Sequence, residues 1–307
     1  MKVSNLKSAT SNSEAPLPTV DGVAPSRQTL PAGRWATVLD FLSGRHASVG
    51  AAAWAARMRE GRVVDEAGRR VTPESPYRAG ACIYYYREPG EETRVPFGER
   101  VLHLDEHLLV ADKPHFLAVA PAGRFLRETL LVRLKRGTGL DTLVPVHRID
   151  RETAGVVVFS VNPSTRGAYA TLFQRREVTK VYEALSAGRP AHGLPCTRRS
   201  RIVAGRPFFR MEEAGGEPNS ETRVDLLRRP EAGGALYEAR PLTGRKHQVR
   251  VHLAALGLPI LNDRLYPEVS PDAPEDFSAP LKLLARSVSF RDPLTGRERH
   301  FESDRRL

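Results

Sequence analysis

The sequence predicts an α+β fold built on a mixed, mostly antiparallel sheet with flanking helices. From Val101 onward, short segments of alternating or continuous β-branched and apolar residues recur, whereas few segments show helical spacing. The strand-like segments are VLHLDEHLLVADKP, AGVVVFS, KVYEALSAG, TRVDLLRR and ALYEARPL. The first of these contains an Asp-Glu-His turn and is interpreted as two short strands.

Two helices are predicted between these strands. The segment NPSTRGAYATLFQRREV has Pro163 in its expected first turn, where the missing N–H costs nothing, and apolar residues along one side. The segment HQVRVHLAALG carries apolar residues on one face and ends at Gly257. Helices of this kind would cover the sheet and complete a core.

The N-terminal third of the chain differs in character from the remainder. Residues 1–30 are rich in Ser, Pro, Ala and Thr, so we expect a disordered leader. Residues 31–92 contain the helical patterns WATVLDFLSGRH and AAWAARMRE and the strand pattern CIYYYRE, which predict a small α/β domain. The Pro- and Gly-rich segment REPGEETRVPFGER is interpreted as a linker, and residues 93–307 as a catalytic domain.

Charge is the most informative feature of the composition. The 307 residues include 47 Lys and Arg against 36 Asp and Glu, a net charge of +11, and such a surface attracts polyanions. No apolar run approaches the roughly 18 to 20 residues that cross a bilayer. The N-terminus shows no apolar core of a secretory signal. We therefore expect a cytoplasmic protein with no membrane contact, in which Cys82 and Cys196 are free thiols.

The segment HRIDRETAG, residues 147–155, is the first candidate for a catalytic site. Asp150 lies between Arg148 and Arg151, and neighbouring cations favour the ionised carboxylate, a potential nucleophile. Taken alone, the segment is better explained as a charged surface turn. The apolar run Val156–Phe159 that follows predicts a buried strand, which would hold the aspartate in a fixed position.

Two further segments are candidates for function. Arg245, Lys246, His247 and Arg250 gather at the start of a predicted helix and could receive phosphate, although an ordinary amphipathic helix shows the same pattern. Tyr182 interrupts the apolar strand TKVYEAL, where core packing is the usual role of tyrosine. The sequence has no Walker A, GxSxG or HExxH motif, and its nine histidines are scattered, so no metal site is expected.

These segments together resemble the RluA-type RNA pseudouridine synthases. HRIDRETAG resembles the family motif HRLDRxTSG, and LTGRKHQVRVHLAALGLPILND resembles the block GRTHQIRVHxxxxGxPIxGD. DEHLLVADKP resembles the opening strand pair of the family, and LKLLARSVSFRDPLTG resembles the closing motif LHAxxLxFxHPxTG. The four motifs occur in the family order over about residues 99–302.

The resemblance implies the pseudouridine synthase fold and an enzyme that converts uridine in structured RNA to pseudouridine without metal or cofactor. It implies that Asp150, Tyr182 and Arg250 are catalytic. It places Arg148 at the flipped nucleotide and Leu283 beside the base. The substrate-binding residues expected from the motifs are Arg148, Arg151, Arg245, Lys246, His247 and Leu283. We expect a monomer that binds ribosomal or transfer RNA.

The sequence departs from the family pattern at several positions. Lys246 replaces a threonine, Asn262 a glycine and Leu284 a histidine, and none of these changes removes a catalytic group. Residues 31–92 loosely resemble the small RNA-binding module of many family members, and a purely structural appendage is an equal alternative. The main alternative function is a catalytically silent RNA-binding or ribosome-assembly protein on the same fold. A carboxylate glycosidase is set aside because no second acid is suitably placed.

Overall fold

The computed structural model of the chain describes residues 15–88, 90–190, 193–229, 233–270 and 276–307. In these ranges the chain divides into two compact units. The first unit contains the residues up to Glu92 together with 122–127 and 132–141. The second contains 93–121, 128–131 and 142–307, and all the candidate catalytic residues belong to it.

The first unit is a small three-stranded sheet with two helices. Its elements are β1 (Ser26–Thr29), α1 (Val38–Arg45), α2 (Ala51–Arg59), β2 (Val63–Asp65) and β3 (Cys82–Tyr85). The antiparallel strand order is β1-β3-β2. Thr37 and Asp40 form a capping box that starts α1. Phe41, Trp54 and Met58 fill the core between the helices and the sheet.

The predicted disordered leader differs from the structure in its second half. Residues 1–14 lie outside the described residues, but Ser26–Thr29 forms β1 and Leu30 is buried in the core of the first unit. The Tyr86 hydroxyl also donates a hydrogen bond to the Pro18 carbonyl, at 2.5 Å. The strand is not evident from its composition, because β1 is a polar edge strand stabilised chiefly by backbone pairing with β3.

The second unit is organised around one large sheet. Its elements are β4 (Arg100–Leu104), β5 (Leu108–Lys113), β6 (Val144–Pro145), β7 (Ala154–Ser160), α4 (Arg166–Arg175), β8 (Val178–Ser186), β9 (Cys196–Ala204), β10 (Met211–Ala214), β11 (Ser220–Arg228), β12 (Ala235–Pro241), α5 (Gln248–Ala255), β13 (Leu283–Arg291) and β14 (Glu298–Glu302). Helix α3 (Leu130–Thr138) spans residues assigned to both units.

The order of the large sheet is β10-β9-β11-β12-β8-β13-β7-β5-β4, with β14 paired to β13 and β6 paired to β7. Every pair is antiparallel except β13 with β7. The predicted α+β class with a mostly antiparallel sheet is therefore confirmed. In the described ranges, no helix is long and apolar enough to cross a membrane.

Helices α4 and α5 both pack on one face of β8. At one end of the strand, Val178 joins the cluster that contains Tyr169 of α4, and at the other end Ala184 joins the cluster that contains Leu253 of α5. Alternate residues of a strand share a face, so Lys180 and Tyr182 lie on this same face between the two helices. The fold therefore leaves these two polar side chains between two apolar clusters.

One helix prediction needs correction, and one helix was not predicted. Helix α4 begins at Arg166, so Pro163 lies before the helix and not in its first turn; the Asn162 side chain accepts the Ser164 N–H there and forms the preceding turn. Helix α3 has no counterpart among the predicted elements.

Gly155 lies where two parallel strands approach closely. It pairs with Ala285 between β7 and β13 and has a φ of +116°. A Cβ added to Gly155 would lie 2.1 Å from the Ala285 carbonyl oxygen, far inside van der Waals contact. Only glycine fits this approach, which connects the strand after Asp150 to the strand that carries Leu283.

We expect Gly155→Ala to lower the free energy of unfolding by about 3 kcal/mol or more, because backbone atoms must separate to admit the methyl group. Gly167→Ala is the matched control, since a Cβ there has nothing within 4 Å and the residue lies in helix α4. It should leave stability unchanged or raise it by about 0.5–1 kcal/mol. Urea denaturation measures both, and equal midpoints would contradict the assignment.

Candidate active site

Asp150 lies in a tight turn between β6 and β7. The Thr153 N–H donates to the Asp150 carbonyl at 3.1 Å and closes the turn. The buried Lys113 ammonium, at the end of β5, donates to the carbonyl oxygens of Arg151 at 3.0 Å and Leu117 at 2.7 Å. The backbone on the C-terminal side of Asp150 is thus fixed from β5 as well as by the following strand.

Lys113 was not among the predicted site residues, although its segment was quoted for the family resemblance. Burial lowers the pKa of Lys113 to about 7, and the charges of Glu152 and Asp150 act in the opposite direction. The signal for a special role was a lysine at the end of the mostly apolar segment LLVADK, which forms a fully buried strand.

Arg250 connects two aspartates of different exposure. Its Nε and Nη2 donate to the two carboxylate oxygens of Asp263 at 2.8 and 2.7 Å, and its Nη1 lies 3.4 Å from Asp150 Oδ2. The Arg250 and Asp263 side chains are 3% and 0% exposed, whereas Asp150 is 24% exposed. Asp263 therefore holds the guanidinium, and Asp150 is the partner that remains open to a substrate.

The electrostatics of Arg250 follow from these contacts. Burial acts to lower the pKa of Arg250, but the hydrogen bonds and charge of Asp263, with the charge of Asp150, raise it above its ordinary value. The guanidinium carbon also lies 5.2 Å from the Tyr266 ring centroid, a cation–π contact. Asp263 and Tyr266 were not predicted as site residues, although both lie in the quoted second motif or immediately after it.

The entry to helix α5 is fixed by Gln248. The Gln248 side-chain oxygen accepts from the Thr243 hydroxyl at 2.7 Å and from the Arg245 N–H at 3.0 Å. His247 precedes the helix with a φ of +56°, and its Nδ1 lies 2.9 Å from the Tyr266 hydroxyl. Burial lowers the pKa of His247 to about 4, so the imidazole is neutral at neutral pH. His247 therefore supports Tyr266 and supplies no cation.

Tyr182 has small neighbours on both sides. Its cross-strand partners are Ala239 on β12 and Ala285 on β13, whose side chains are single methyl groups. Burial, followed by the negative charge of Asp150, raises the pKa of Tyr182 above its ordinary value. Leu283 is only 2% exposed and belongs to the apolar cluster against which Tyr182 packs. Leu283 therefore belongs to the packing around the tyrosine and has almost no exposed surface of its own.

The basic residues predicted around the site fall into two groups. Arg151 pairs with Glu152 at 2.9 Å, and Arg250 contacts Asp150 at 3.4 Å. Arg148 and Arg245 have exposed side chains. Lys246 is also exposed, and its ammonium donates to the Phe209 carbonyl at 2.9 Å. Arg250 is 100 residues from Asp150 in the sequence, and the fold brings the two together.

A cavity of about 290 Å³ opens near the start of β8, two residues from Tyr182 along the strand. Arg176, Lys180, Arg240 and Thr243 are among the residues that line it. Its basic lining suits a phosphate group, whereas Asp150 is not among the lining residues. Within the described residues, no group of three or more His, Cys, Asp or Glu side chains could hold a metal ion.

We expect Asp263→Asn to lower the free energy of unfolding by about 3 kcal/mol, because Arg250 would keep a buried charge without its principal counterion. The matched control is Asp304→Asn, whose ion pair with Arg100 is exposed, with side chains 62% and 67% accessible. That change should cost less than about 1 kcal/mol. Denaturant unfolding compares the two, and a similar small loss in both variants would refute the role given to Asp263.

Comparison with known proteins finds relatives of this chain in one family. The family model described as RNA pseudouridylate synthase matches residues 107–255. An uncharacterized RNA pseudouridine synthase of Synechocystis is 33% identical over 75% of this chain and 79% of that protein. The dual-specificity RNA pseudouridine synthase RluA of Escherichia coli is 31% identical over 66% of this chain and 91% of that protein.

A solved structure agrees with these sequence matches. Human RNA pseudouridylate synthase domain containing 1 aligns with a TM-score of 0.56 and 25% identity, over 70% of this chain and 86% of that chain. The matched segment of the family model includes Asp150, Tyr182 and Arg250. The chain belongs to the RluA-type family of RNA pseudouridine synthases.

Proposed function

We propose that Asp150 is the essential carboxylate with which this enzyme isomerises uridine to pseudouridine in structured RNA. The observation that carries the proposal is the contact of Asp150 with Arg250, itself fixed by Asp263. The arrangement supplies a carboxylate that is partly exposed and lies beside a buried guanidinium. A carboxylate so placed can act at the anomeric carbon of a ribose.

The reaction rearranges one nucleotide and needs no net donor or acceptor. The uridine first leaves its stack, because the glycosidic bond is not accessible inside folded RNA. The bond from the anomeric carbon to nitrogen 1 then breaks while Asp150 forms an adduct with the ribose or stabilises its developing positive charge. The uracil rotates and carbon 5 bonds to the anomeric carbon, while the bond between Asp150 and the ribose breaks if an adduct has formed. The proton on carbon 5 is then lost, and nitrogen 1 gains one. No metal or cofactor enters this proposal.

Tyr182 is proposed to act chiefly through its ring. Its raised pKa keeps the phenol protonated at neutral pH, so it is a poor resting base and a better platform for the flipped uracil. The flanking Ala239 and Ala285 have the smallest side chains that carry a Cβ, which favours stacking of a planar ligand beside the ring. The proton on carbon 5 would then leave through water that the hydroxyl orients.

RNA binding is proposed to use the exposed basic side chains near the site. Arg148 is exposed and forms no ion pair with a described residue, so it remains available to the flipped nucleotide or its phosphate. Arg245 and Lys246 extend the basic surface before helix α5. Ribosomal or transfer RNA as substrate, a monomeric state and a cytoplasmic location stay predictions from the sequence, as does an RNA-binding role for residues 31–92.

We expect Asp150→Asn to reduce pseudouridine formation by more than about a thousandfold, a loss of roughly 4 kcal/mol of transition-state stabilisation. The change removes the carboxylate charge and preserves its size, so RNA binding should largely survive. Tritium release from 5-tritiated uridine in RNA measures turnover, and filter binding measures affinity. Asp304→Asn, which removes an exposed carboxylate, is the control and should retain wild-type turnover.

The turnover and binding measurements, together with a pseudouridine map after deletion of the gene, separate the competing functions. Undiminished turnover in Asp150→Asn would refute the role of this residue. Binding of RNA by the wild-type protein with no pseudouridine formed, together with an unchanged pseudouridine map after deletion of the gene, would favour a silent RNA-binding protein.

For Tyr182, we expect the phenylalanine variant to retain turnover within about tenfold of the wild type, because it keeps the ring. Tyr182→Ala should lose at least about a hundredfold, since base–aromatic stacking is worth about 1–3 kcal/mol and the flipped base also loses its position. Tritium release under single-turnover conditions is the measurement. A Phe variant as inactive as the Ala variant would show that the hydroxyl carries the role.

A further inference from the structure

The turn between β9 and β10 exposes two aromatic side chains. It has the sequence GRPFFR, residues 205–210, and Phe208 is 87% exposed, the highest value among the large hydrophobic residues that the structure describes. Phe209 is 39% exposed, and the two rings meet edge to face with centroids 5.4 Å apart. Exposed aromatic pairs of this kind are typical of binding surfaces.

The exposure of Phe208 is not the result of a frayed loop. The Gly205 N–H donates to the Arg210 carbonyl at 3.0 Å, and the Arg210 N–H donates to the Pro207 carbonyl at 2.8 Å, which closes the turn. The Lys246 ammonium donates to the Phe209 carbonyl, and the Arg210 guanidinium donates to the Pro267 carbonyl. The turn is therefore organised before any ligand binds, which lowers the entropic cost of binding.

The same turn is bonded to the residues that hold Arg250. The Arg210 guanidinium lies 5.2 Å from the centroid of the Tyr266 ring, which also contacts the Arg250 guanidinium at 5.2 Å. The Met211 N–H donates to the Tyr266 hydroxyl at 2.8 Å. Ile202 of β9 and Val251 of α5 form one apolar cluster with Tyr266. The aromatic turn is therefore connected to the active site by direct contacts.

The surroundings of the two rings are predominantly basic. Arg206 and Lys246 have exposed side chains, and Glu212 at the base of the hairpin is the acidic group beside Gly205. Cationic side chains next to an exposed aromatic ring match a ligand that alternates phosphates with flat bases. A second copy of this chain fits less well, because each copy carries a net charge of +11.

We propose that Phe208 is a stacking site for an unpaired base of the RNA substrate near the target uridine, with Arg206 and Lys246 at the adjoining phosphates. This proposal rests on the proposed function, since it presumes an RNA substrate. It adds a recognition element that discriminates single-stranded loops from continuous duplex, because a base within a duplex has no free face. No residue of this turn takes part in the bond rearrangement.

Binding is best measured in the Asp150→Asn protein, so that turnover does not interfere. The probes are a fluorescein-labelled RNA hairpin with uridine in its single-stranded loop and a fully paired duplex of equal length. Phe208→Ala should raise the Kd for the hairpin about tenfold, as expected for the loss of one base–aromatic stack, and change the Kd for the duplex less than about twofold. Leu294→Ala, at a position 43% exposed, is the matched control and should alter neither value.

A second variant tests stacking directly. Phe208→Trp should restore hairpin binding to within about twofold of the parent protein, and its added fluorescence should be quenched by the hairpin and not by the duplex. Phe208→Ala with parental hairpin affinity would overturn the proposal and leave the role of Asp150 intact. A change in molecular mass by light scattering with unchanged affinity would instead assign the turn to self-association. Failure of the parent protein to bind any RNA would overturn both proposals.

Discussion

The buried guanidinium of Arg250 is the interaction on which the site depends. A charge that is 3% exposed requires a counterion, and Asp263 supplies one through two short hydrogen bonds. Because Asp263 already satisfies this requirement, the longer 3.4 Å contact with Asp150 can remain loose. Asp150 thereby gains a nearby positive charge without losing both oxygens to the ion pair. Two aspartates with the same chemistry have different roles because only one of them is enclosed.

Elements with a strong apolar periodicity are predicted from the sequence. Elements and contacts that depend on distant parts of the chain are missed. The strand after Asp150 and the helix carrying Arg250 were predicted because apolar spacing encodes burial directly. The polar strand β1 was missed because its stability comes mainly from pairing with β3 and not from apolar residues. Asp263 and Lys113 lie in quoted motif segments but were missed as site residues, because their contacts with Arg250 and with the Arg151 carbonyl join distant parts of the chain. The cation that contacts Asp150 likewise comes from a distant part of the sequence, since Arg250 lies 100 residues further along the chain.

The departures from the family pattern are explained by local geometry. Asn262 occupies the position of a family glycine with a φ of +63°, and asparagine tolerates this left-handed conformation better than other side chains. Its side chain also donates to the Pro280 carbonyl at 3.0 Å, which stabilises the turn before Asp263. Lys246 replaces a threonine and bonds the aromatic turn, and Leu284 replaces a histidine at a fully buried position.

The proposed chemistry and the proposed RNA recognition use different kinds of element, and Tyr266 contacts both. Tyr182 is fixed in the sheet, and Arg250 on a packed helix, whereas Phe208 projects from a turn. Substrate contacts distant from the reacting atoms increase rate only if they act on the catalytic groups. The Tyr266 ring contacts Arg210 of the turn and Arg250 of the site. Binding at the turn, as proposed, would therefore reach Arg250 through one shared ring, and Arg250 in turn contacts Asp150.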